Sequence, residues 1–179
     1  MSPEFQIVTQ SFILRLIKID ESVQLANCIN QSPSLYPWID WCHSNFSQQE
    51  AEAFVKATRL SWIKGDAYGF GVFSRDNSTL LGMVAINEIY HTFNMASIGY
   101  WIADKYQNNG FGINSVRALL EFCFSELSLT RVEVVCDPEN SASQKLIVAC
   151  GGIFETFARN RFIHNGKAKT GAVYSIIKS

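Results

Sequence analysis

Apolar residues follow two different periods along this chain, and the change between them is sharpest near its middle. Residues 96–102 alternate and are rich in aromatic and β-branched side chains, which is typical of a strand. Residues 113–127 instead carry apolar side chains at intervals of three and four, the stripe of an amphipathic helix. The sequence therefore predicts a strand that leads through a short loop into a long helix.

The same periodicities predict the remaining elements. Strands are predicted over residues 12–19, 67–74, 80–90, 131–136, 153–162 and 172–177, and helices over residues 20–30, 47–64 and 140–150. The second of these helices opens on Ser47 and Glu50, which form a capping-box pattern. This order of elements indicates the α+β class with a mixed sheet. With no repeat or linker in 179 residues, we expect residues 1–179 to form a single domain.

Composition narrows the function classes. Hydrophobic residues make up 47% of the chain and charged residues 17%, and the net charge is −1. The chain therefore lacks the excess of positive charge that is typical of nucleic-acid-binding proteins. No run of 18 apolar residues and no secretory signal pattern occurs, so we expect a cytoplasmic protein that does not bind membranes. The five cysteines are widely spaced and the three histidines scattered, which favours reduced thiols and predicts no metal site.

The loop between the central strand and the long helix carries the clearest chemical signal. Its two glycines either form a plain tight turn or let the backbone approach a ligand closely. Unpaired N–H groups of the first helical turn and the helix dipole favour an anion there. The loop lacks the Lys-Ser/Thr ending of a nucleoside-triphosphate loop. The predicted phosphate-binding residues are Gln107, Asn108, Asn109, Gly110, Phe111 and Gly112.

This loop resembles the Q/R-x-x-G-x-G/A pattern with which GCN5-related N-acetyltransferases (GNAT) hold the pyrophosphate of acetyl-CoA. The preceding residues 98–102, IGYWI, resemble the RimJ/RimL branch, the ribosomal-protein N-terminal acetyltransferases. The resemblance implies the single-domain GNAT fold, a mixed sheet of six or seven strands flanked by about four helices. It also implies acetyl-CoA as co-substrate, with backbone N–H groups near Trp101 or Ile102 polarising the thioester carbonyl.

A second motif lies at the start of the predicted helix over residues 140–150. Asn140, Ser143 and the later Gly-Gly-Ile-Phe are similar to the family's N-x-x-S…G-F segment. The resemblance implies that Asn140 helps to hold the pantetheine arm or the substrate, and that Ser143 donates a hydrogen bond to the leaving thiolate as a candidate general acid. From the residues alone, Asn140 is equally an N-cap. Lys145 either contacts a phosphate of CoA or lies on a solvated helix face.

The sequence also offers candidates for the general base and for the wall of the acceptor cleft. Many relatives carry Glu where this chain has Ser97, and Glu88 on the preceding strand is the best local substitute, unless it simply faces outward. The resemblance implies that the segment after the first helix shapes the acceptor cleft. Its aromatic residues, which could instead form a short helix with buried tryptophans, are Tyr36, Trp38 and Trp41.

Together these features predict an N-acetyltransferase that moves an acetyl group from acetyl-CoA to a primary amine by direct attack. The preferred acceptor is the N-terminal α-amino group of a ribosomal protein, because such an amine is partly neutral at pH 7. The alternatives are a small-molecule amine (a polyamine or an amino-sugar antibiotic), another acyl group, or a non-catalytic CoA-binding regulatory module. The aromatic segment or the apolar last strands could also support a homodimer.

Overall fold

An eight-stranded sheet runs through the computed structural model, which describes residues 1–178. Its strands are β1 (Gln6–Val8), β2 (Phe12–Arg15), β3 (Tyr68–Ser74), β4 (Leu80–Tyr90), β5 (Met95–Ile102), β6 (Arg131–Cys136), β7 (Ile153–His164) and β8 (Lys167–Ile177). Their order in the sheet is β1-β2-β3-β4-β5-β6-β8-β7. Only β5 and β6 are parallel, so the predicted mixed sheet is confirmed. The additional strand is β1, whose three residues are too few to show a period.

Within residues 1–178, four α-helices cover the sheet, in agreement with the expected number. They are α1 (Ser22–Asn30), α2 (Gln48–Lys64), α3 (Phe111–Ser125) and α4 (Ser141–Ala149). The helices α1 and α2 pack on one face, against Met83 and Trp101, whereas α3 and α4 pack on the other, against Ile98 and Val134. The sheet thus has a separate apolar core on each of its faces.

Both ends of α2 follow the signals in the sequence. The Ser47 hydroxyl oxygen accepts the N–H of Glu50 (3.2 Å), and the Glu50 carboxylate accepts the N–H of Ser47 (2.8 Å), which confirms the capping box. The helix ends at Gly65, whose left-handed φ of 79° suits a residue without a side chain.

Other elements end at residues different from those predicted from the apolar period. The strand β2 ends at Arg15 rather than residue 19, because Arg15 forms a two-point ion pair with Glu21 (2.9 and 2.6 Å) in the turn before α1. The last hairpin is longer than expected, since β7 and β8 continue until only Asn165 and Gly166 separate them. These two residues have left-handed φ values of 49° and 70°, as a tight hairpin turn requires.

The strands β5 and β6 separate part-way along their length, and this opens the sheet. They pair through three residues each, the last of which are Ser97 and Glu133. Beyond that point β5 stays paired with β4 as far as Ile102, and β6 stays paired with β8 as far as Cys136. The two halves of the sheet therefore diverge, and a cleft forms between them.

Gly82 lets β4 approach β5 closely beside this cleft, and we expect Gly82→Ala to destabilise the fold. A Cβ atom at this position would lie 2.3 Å from the backbone oxygen of Trp101 and 2.8 Å from Cα of Ile102. Because backbone atoms cannot move aside without opening the β4–β5 ladder, urea denaturation should show a loss of about 3 kcal/mol.

Gly69→Ala on β3 provides a matched control for this substitution. Its Cβ atom would meet only the ends of the Met83 and Thr58 side chains, each at 2.6 Å. Side-chain ends can turn aside more readily than a strand backbone, so the control should lose less stability. Equal urea midpoints for the two variants would contradict the close backbone approach at Gly82.

Candidate active site

A cleft of about 800 Å³ lies between the separated ends of β5 and β6. The N-termini of α3 and α4 border it on one side, and the aromatic loop between α1 and α2 borders it on the other. The predicted site residues that it brings together are Trp38, Trp41, Trp101, Ile102, Gln107, Asn108, Gly110, Gly112, Asn140, Ser143 and Lys145. Among residues 1–178, those predicted for the site but outside this lining are Tyr36, Glu88, Asn109 and Phe111.

The loop before α3 has the backbone geometry of an anion site. Asn108 and Gly110 adopt left-handed φ values of 61° and 79°, which turn the chain sharply into the helix. The first helical hydrogen bond runs from the N–H of Asn114 to the oxygen of Gly110 (3.0 Å), so the N–H groups of residues 111–113 have no helical partner. Gly112 and Ile113 line the cleft at this point. The three free donors and the helix dipole fit a phosphate group.

Three of the predicted loop residues hold the loop in place. The Gln107 side-chain amide donates to the backbone oxygen of Ile102 (2.9 Å), and the Asn109 amide donates to the backbone oxygen of Gln107 (2.9 Å). Phe111 packs against the core beneath α3. Asn109 and Phe111 therefore contribute to the shape of the loop from behind the cleft.

Gly112 serves helix packing as well as ligand access. A Cβ atom there would lie 2.8 Å from Cδ1 of Leu146 on α4 and 3.6 Å from Cγ1 of Ile102 on β5. The missing side chain thus lets α3 start close to both elements. A bulky substitution at Gly112 would disturb this packing in addition to filling the cleft at this point.

The backbone N–H groups of Tyr100 and Ile102, rather than that of Trp101, face the cleft. The N–H of Ala103 donates to the oxygen of Leu81 on β4 (2.9 Å), and successive residues of a strand point their N–H groups to opposite sides. The N–H of Trp101 therefore points to β4, whereas those of Tyr100 and Ile102 point to the side that β6 has left. Of the two N–H groups predicted to polarise the thioester carbonyl, the N–H of Ile102 is accordingly the one that can do so.

The side chain of Trp101 forms part of the cleft wall. Its indole packs edge-on against Trp41 (6.4 Å between ring centroids), and Trp41 stacks on Phe54 (4.6 Å). The indole nitrogen of Trp101 is buried, and in residues 1–178 it has no hydrogen-bond partner. Buried donors are nearly always paired in proteins. This nitrogen is closed to solvent, so the indole contributes to the cleft wall through packing.

The segment between α1 and α2 begins with one turn of 3-10 helix at Pro33–Leu35 and continues as an irregular loop, so residues 38–42 do not form the short helix that the sequence also allowed. Trp38, which is 38% exposed, and Trp41 line the cleft. Tyr36 lies behind them, because its hydroxyl donates to the backbone oxygens of Ile29 (3.1 Å) and Asn30 (3.0 Å) in α1. Two of the three predicted acceptor-wall residues therefore face the cleft, and the third anchors the loop.

Asp40 joins this aromatic loop to the β7–β8 turn. Its carboxylate accepts the backbone N–H of Asn165 (2.8 Å) and lies 2.8 Å from Nδ1 of His164. On the other side of the loop, the hydroxyl of Ser34 donates to the carboxylate of Asp104 (2.5 Å). The aromatic wall is thus tied to both halves of the sheet.

Ser143, on the opposite wall, is hydrogen-bonded to a buried tyrosine. The Tyr100 hydroxyl donates to the backbone oxygen of Ser143 (3.1 Å) and lies 3.0 Å from its Oγ. Burial raises the pKa of Tyr100 and that of the Cys136 thiol, and the Ser143 hydroxyl offsets part of each increase. Both groups are protonated at neutral pH, so this wall presents neutral donors. The sequence analysis did not single out Tyr100, although it lies within IGYWI.

Asn140 caps α4, which is one of the two roles predicted for it. Its side-chain oxygen accepts the N–H of Ser143 (3.0 Å), while the residue also lines the cleft. Lys145 is exposed on the same helix and belongs to the lining. The N-terminus of α4 is therefore a second set of donors at the cleft.

A β-bulge in β4 changes which residue faces the cleft. The pairing with β5 skips one residue between Ile86 and Glu88, which makes Asn87 the additional residue. Asn87 lines the cleft, whereas Glu88 is exposed and accepts a hydrogen bond from the hydroxyl of Tyr90. The structure thus leaves the predicted base, Glu88, outside the cleft. The side-chain amide of Asn87 faces the cleft instead.

A second carboxylate flanks the position where relatives carry a glutamate. Ser97 on β5 pairs with Glu88 on β4 and with Glu133 on β6. Glu133 is only 9% exposed and accepts hydrogen bonds from Arg161 (2.5 Å) and Arg131 (3.3 Å). Its two oxygens each bind a guanidinium group. The sequence did not indicate this cluster, because its residues lie on β6 and β7, which are separated along the chain and face each other across β8.

In residues 1–178, no group of three or more His, Cys, Asp or Glu side chains could hold a metal ion. The helices of this part of the chain do not combine the length and apolarity needed to cross a membrane. All five cysteines are free thiols.

Comparison with known proteins agrees with this geometry. The Acetyltransferase (GNAT) domain family matches residues 11–153. The uncharacterised N-acetyltransferase YnaD of Bacillus subtilis is 33% identical over 109 residues, a match that spans 59% of each protein. The structure of a Vibrio cholerae protein, provisionally named a ribosomal-protein-serine acetyltransferase, is 58% identical with a TM-score of 0.92 and covers 99% of this chain and 100% of its own.

A more distant structure shares the fold. RimL, a ribosomal L7/L12 α-N-protein acetyltransferase in complex with coenzyme A, has a TM-score of 0.85 at 22% identity, with 96% of each chain covered. The family match extends over most of the sheet and both helix N-termini that border the cleft. On this evidence, the chain is an enzyme that belongs to the GNAT family of acetyltransferases.

Proposed function

We propose that this enzyme transfers an acetyl group from acetyl-CoA to the N-terminal α-amino group of a protein, with ribosomal proteins as the acceptor class. The observation that carries the proposal is the cleft between β5 and β6. It has free N–H groups of a helix N-terminus at one side, an aromatic wall at the other, and hydrogen-bond donors between them. Such a cleft suits a donor with phosphates at one end and an amine that enters from the other.

Acetyl-CoA, when bound, supplies the acetyl group as an activated thioester. The loop with Asn108 and Gly110 would hold its pyrophosphate, and Lys145 would add a positive charge nearby. Asn140 would contact the pantetheine arm through the part of its amide that does not cap α4. The N–H of Ile102 would donate to the carbonyl oxygen, where negative charge develops during the reaction.

Ser143 is the proposed donor to the departing sulfur. Because the Tyr100 hydroxyl can donate to the Ser143 backbone oxygen, the Ser143 hydroxyl is free to turn its proton toward a thiolate. A serine hydroxyl is a very weak acid, so its part is hydrogen-bond donation and not complete proton transfer. In the RimL structure, coenzyme A is joined by a disulfide to a cysteine. In this chain Cys136 lines the cleft, and the Ser143 hydroxyl hydrogen-bonds its thiol, so Ser143 can interact with sulfur at this wall.

The acceptor amine must be neutral to attack the carbonyl directly. An α-amino group has an ordinary pKa near 8, so roughly a tenth of it is neutral at pH 7, against less than about a thousandth of a lysine amine. With Asn87 rather than Glu88 facing the cleft, an amine that needs little help from a base suits this site best. The names of the Vibrio cholerae protein and of RimL support a ribosomal protein as its carrier.

An acceptor panel tests the proposal directly. Acetyl-CoA should raise the Tm, and thiol release should then follow addition of peptides with a free N-terminal Ser or Ala. The same peptides with a blocked N-terminus and a free lysine should give little release. Release with a polyamine or an aminoglycoside alone would favour a small-molecule acceptor. Stabilisation without release for any amine would instead support the non-catalytic regulatory module.

Asn108→Asp should weaken acetyl-CoA binding by roughly tenfold at low salt, because it adds a negative charge beside the proposed pyrophosphate site. Aspartate tolerates the left-handed backbone at this position, so the fold should be retained. Isothermal titration calorimetry measures the change, and added salt should reduce it.

Asn77→Asp is the matched control for this charge. Asn77 has a similar φ of 64° and accepts a hydrogen bond from Arg15, away from the cleft. It should leave the affinity for acetyl-CoA unchanged. Equal affinities for the two variants would remove the loop before α3 from the binding site.

Ser143→Ala should lower kcat by about a hundredfold while acetyl-CoA affinity changes little, because the hydroxyl matters chiefly when the thiolate leaves. Ser141→Ala serves as the control, since Ser141 begins the same helix, is exposed and lies outside the cleft lining. Steady-state kinetics and calorimetry on both variants separate turnover from binding. Equal kcat values for Ser143→Ala and the unmodified enzyme would exclude Ser143 from the mechanism.

A further inference from the structure

The cleft holds few charged side chains, and they are unevenly placed. Its charged lining residues in the described part of the chain are Asp137, Lys145 and Arg161. Asp137 accepts the N–H of Glu139 (2.9 Å) at the turn before α4, and Lys145 lies on that helix. Arg161 is on β7 instead, next to Phe162, which also lines the cleft.

Arg161 reaches the acceptor side of the sheet. Its Nη2 donates to Glu133 on β6 (2.5 Å). The neighbours Val132 and Val134 pack in the core beneath α3 and α4, and successive strand residues point to opposite faces, so Glu133 points to the face of α1 and α2. Trp101 and the aromatic wall lie on that same face. Arg161 is therefore the charged lining residue on the side from which the amine would enter.

The local backbone is shaped to place this side chain. The pairing of β7 with β8 is interrupted between Ala158 and Phe162, and within this bulge Asn160 has a left-handed φ of 49°. On β8, a Cβ atom at Gly171 would lie 3.0 Å from both Cβ and Cγ of Arg161. The absence of a side chain at Gly171 thus lets Arg161 cross the strand toward Glu133.

The other members of the charge network behind Arg161 are more fully paired than Arg161 itself. Arg131 makes two hydrogen bonds to Glu155 (2.7 and 2.5 Å) and one to Glu133 (3.3 Å). Glu155 also accepts the hydroxyl proton of Ser175 (2.7 Å). Arg161 has five N–H donors but makes one hydrogen bond within residues 1–178, and its side chain is 37% exposed. The largest unused hydrogen-bonding capacity of the cluster therefore lies with Arg161.

We propose that Arg161 is a specificity-determining residue that binds a carboxylate of the acceptor close to the reactive amine. The acceptor class is then a peptide with Asp or Glu among its first residues, and polycations such as polyamines are disfavoured. The planar guanidinium fork can bind a carboxylate through two hydrogen bonds while Glu133 holds its far side. A cationic acceptor would meet repulsion at the same place. This inference rests on the proposed acetylation of peptide N-termini.

The test uses serine-initiated peptides that carry a single Glu at the second, third or fourth position, each with matched Gln and Lys versions. For the unmodified enzyme, kcat/KM should be roughly tenfold higher for Glu than for Gln at the best position, and lower still for Lys. The preference should decline with added salt. This arm needs no variant and so does not depend on how a substitution folds.

Arg161→Gln should abolish the preference for Glu while it retains a donor for Glu133. Arg161→Lys keeps the charge without the fork and should retain part of the preference. The control is Arg159→Gln, because Arg159 is exposed on the same bulge and lies outside the cleft lining of residues 1–178; it should keep the full preference. Thermal unfolding and acetyl-CoA affinity establish that each variant is folded.

Two outcomes would overturn the inference. One is equal kcat/KM for Glu and Gln peptides at every position, and the other is an unchanged preference in Arg161→Gln. In both cases peptides are still acetylated, so the proposed function would survive. Acetylation of polyamines with no acetylation of any peptide would remove the proposed function together with this inference.

Discussion

The limited pairing between β5 and β6 is the constraint on which the rest of the site depends. Parallel strands that stayed paired would present no free backbone N–H groups and would leave no space between them. Because the pairing stops at Ser97 and Glu133, each strand continues separately and leads into its own helix. The N-termini of α3 and α4 consequently lie at the same opening, and their dipoles both favour negative charge there. The interrupted pairing of β5 and β6 thus creates the cleft, its free N–H donors and its preference for negative charge.

The acceptor side is built differently, from loops and long-range side-chain contacts. Trp41 fills the space between Phe54 and Trp101, and Asp40 ties the same loop to the β7–β8 turn. Aromatic stacking and these polar contacts together fix a segment whose only helical part is one 3-10 turn at Pro33–Leu35. The donor side of the cleft therefore relies on backbone groups, whereas the acceptor side relies on side chains. Substitutions that alter the choice of acceptor are accordingly expected on the second side.

What the sequence could predict follows from the distance between interacting residues along the chain. The glycine-containing loop before α3 and the Asn140–Ser143 motif are local, so their residues and their helix N-termini could be recognised directly. Glu88 could not be placed, because a bulge of one residue exchanges the two faces of a strand and brought Asn87 forward. Arg161 and Glu133 were missed because their contact requires a bulge in β7, a glycine on β8 and the alignment of three strands. Tyr100 lay within a recognised motif on β5, but its partner Ser143 is on α4, far along the chain.

The contact between Gln107 and Ile102 has a consequence for the choice of acyl donor. A side chain five residues along the chain binds the backbone oxygen of the residue whose N–H faces the cleft. The end of β5 and the loop before α3 are thereby held as one rigid unit, and the spacing between their two sets of donors is fixed. In the proposed binding mode, this spacing has to match the length of the arm between the phosphates and the thioester. A carrier with a shorter or longer arm would then not place its thioester beside the N–H of Ile102.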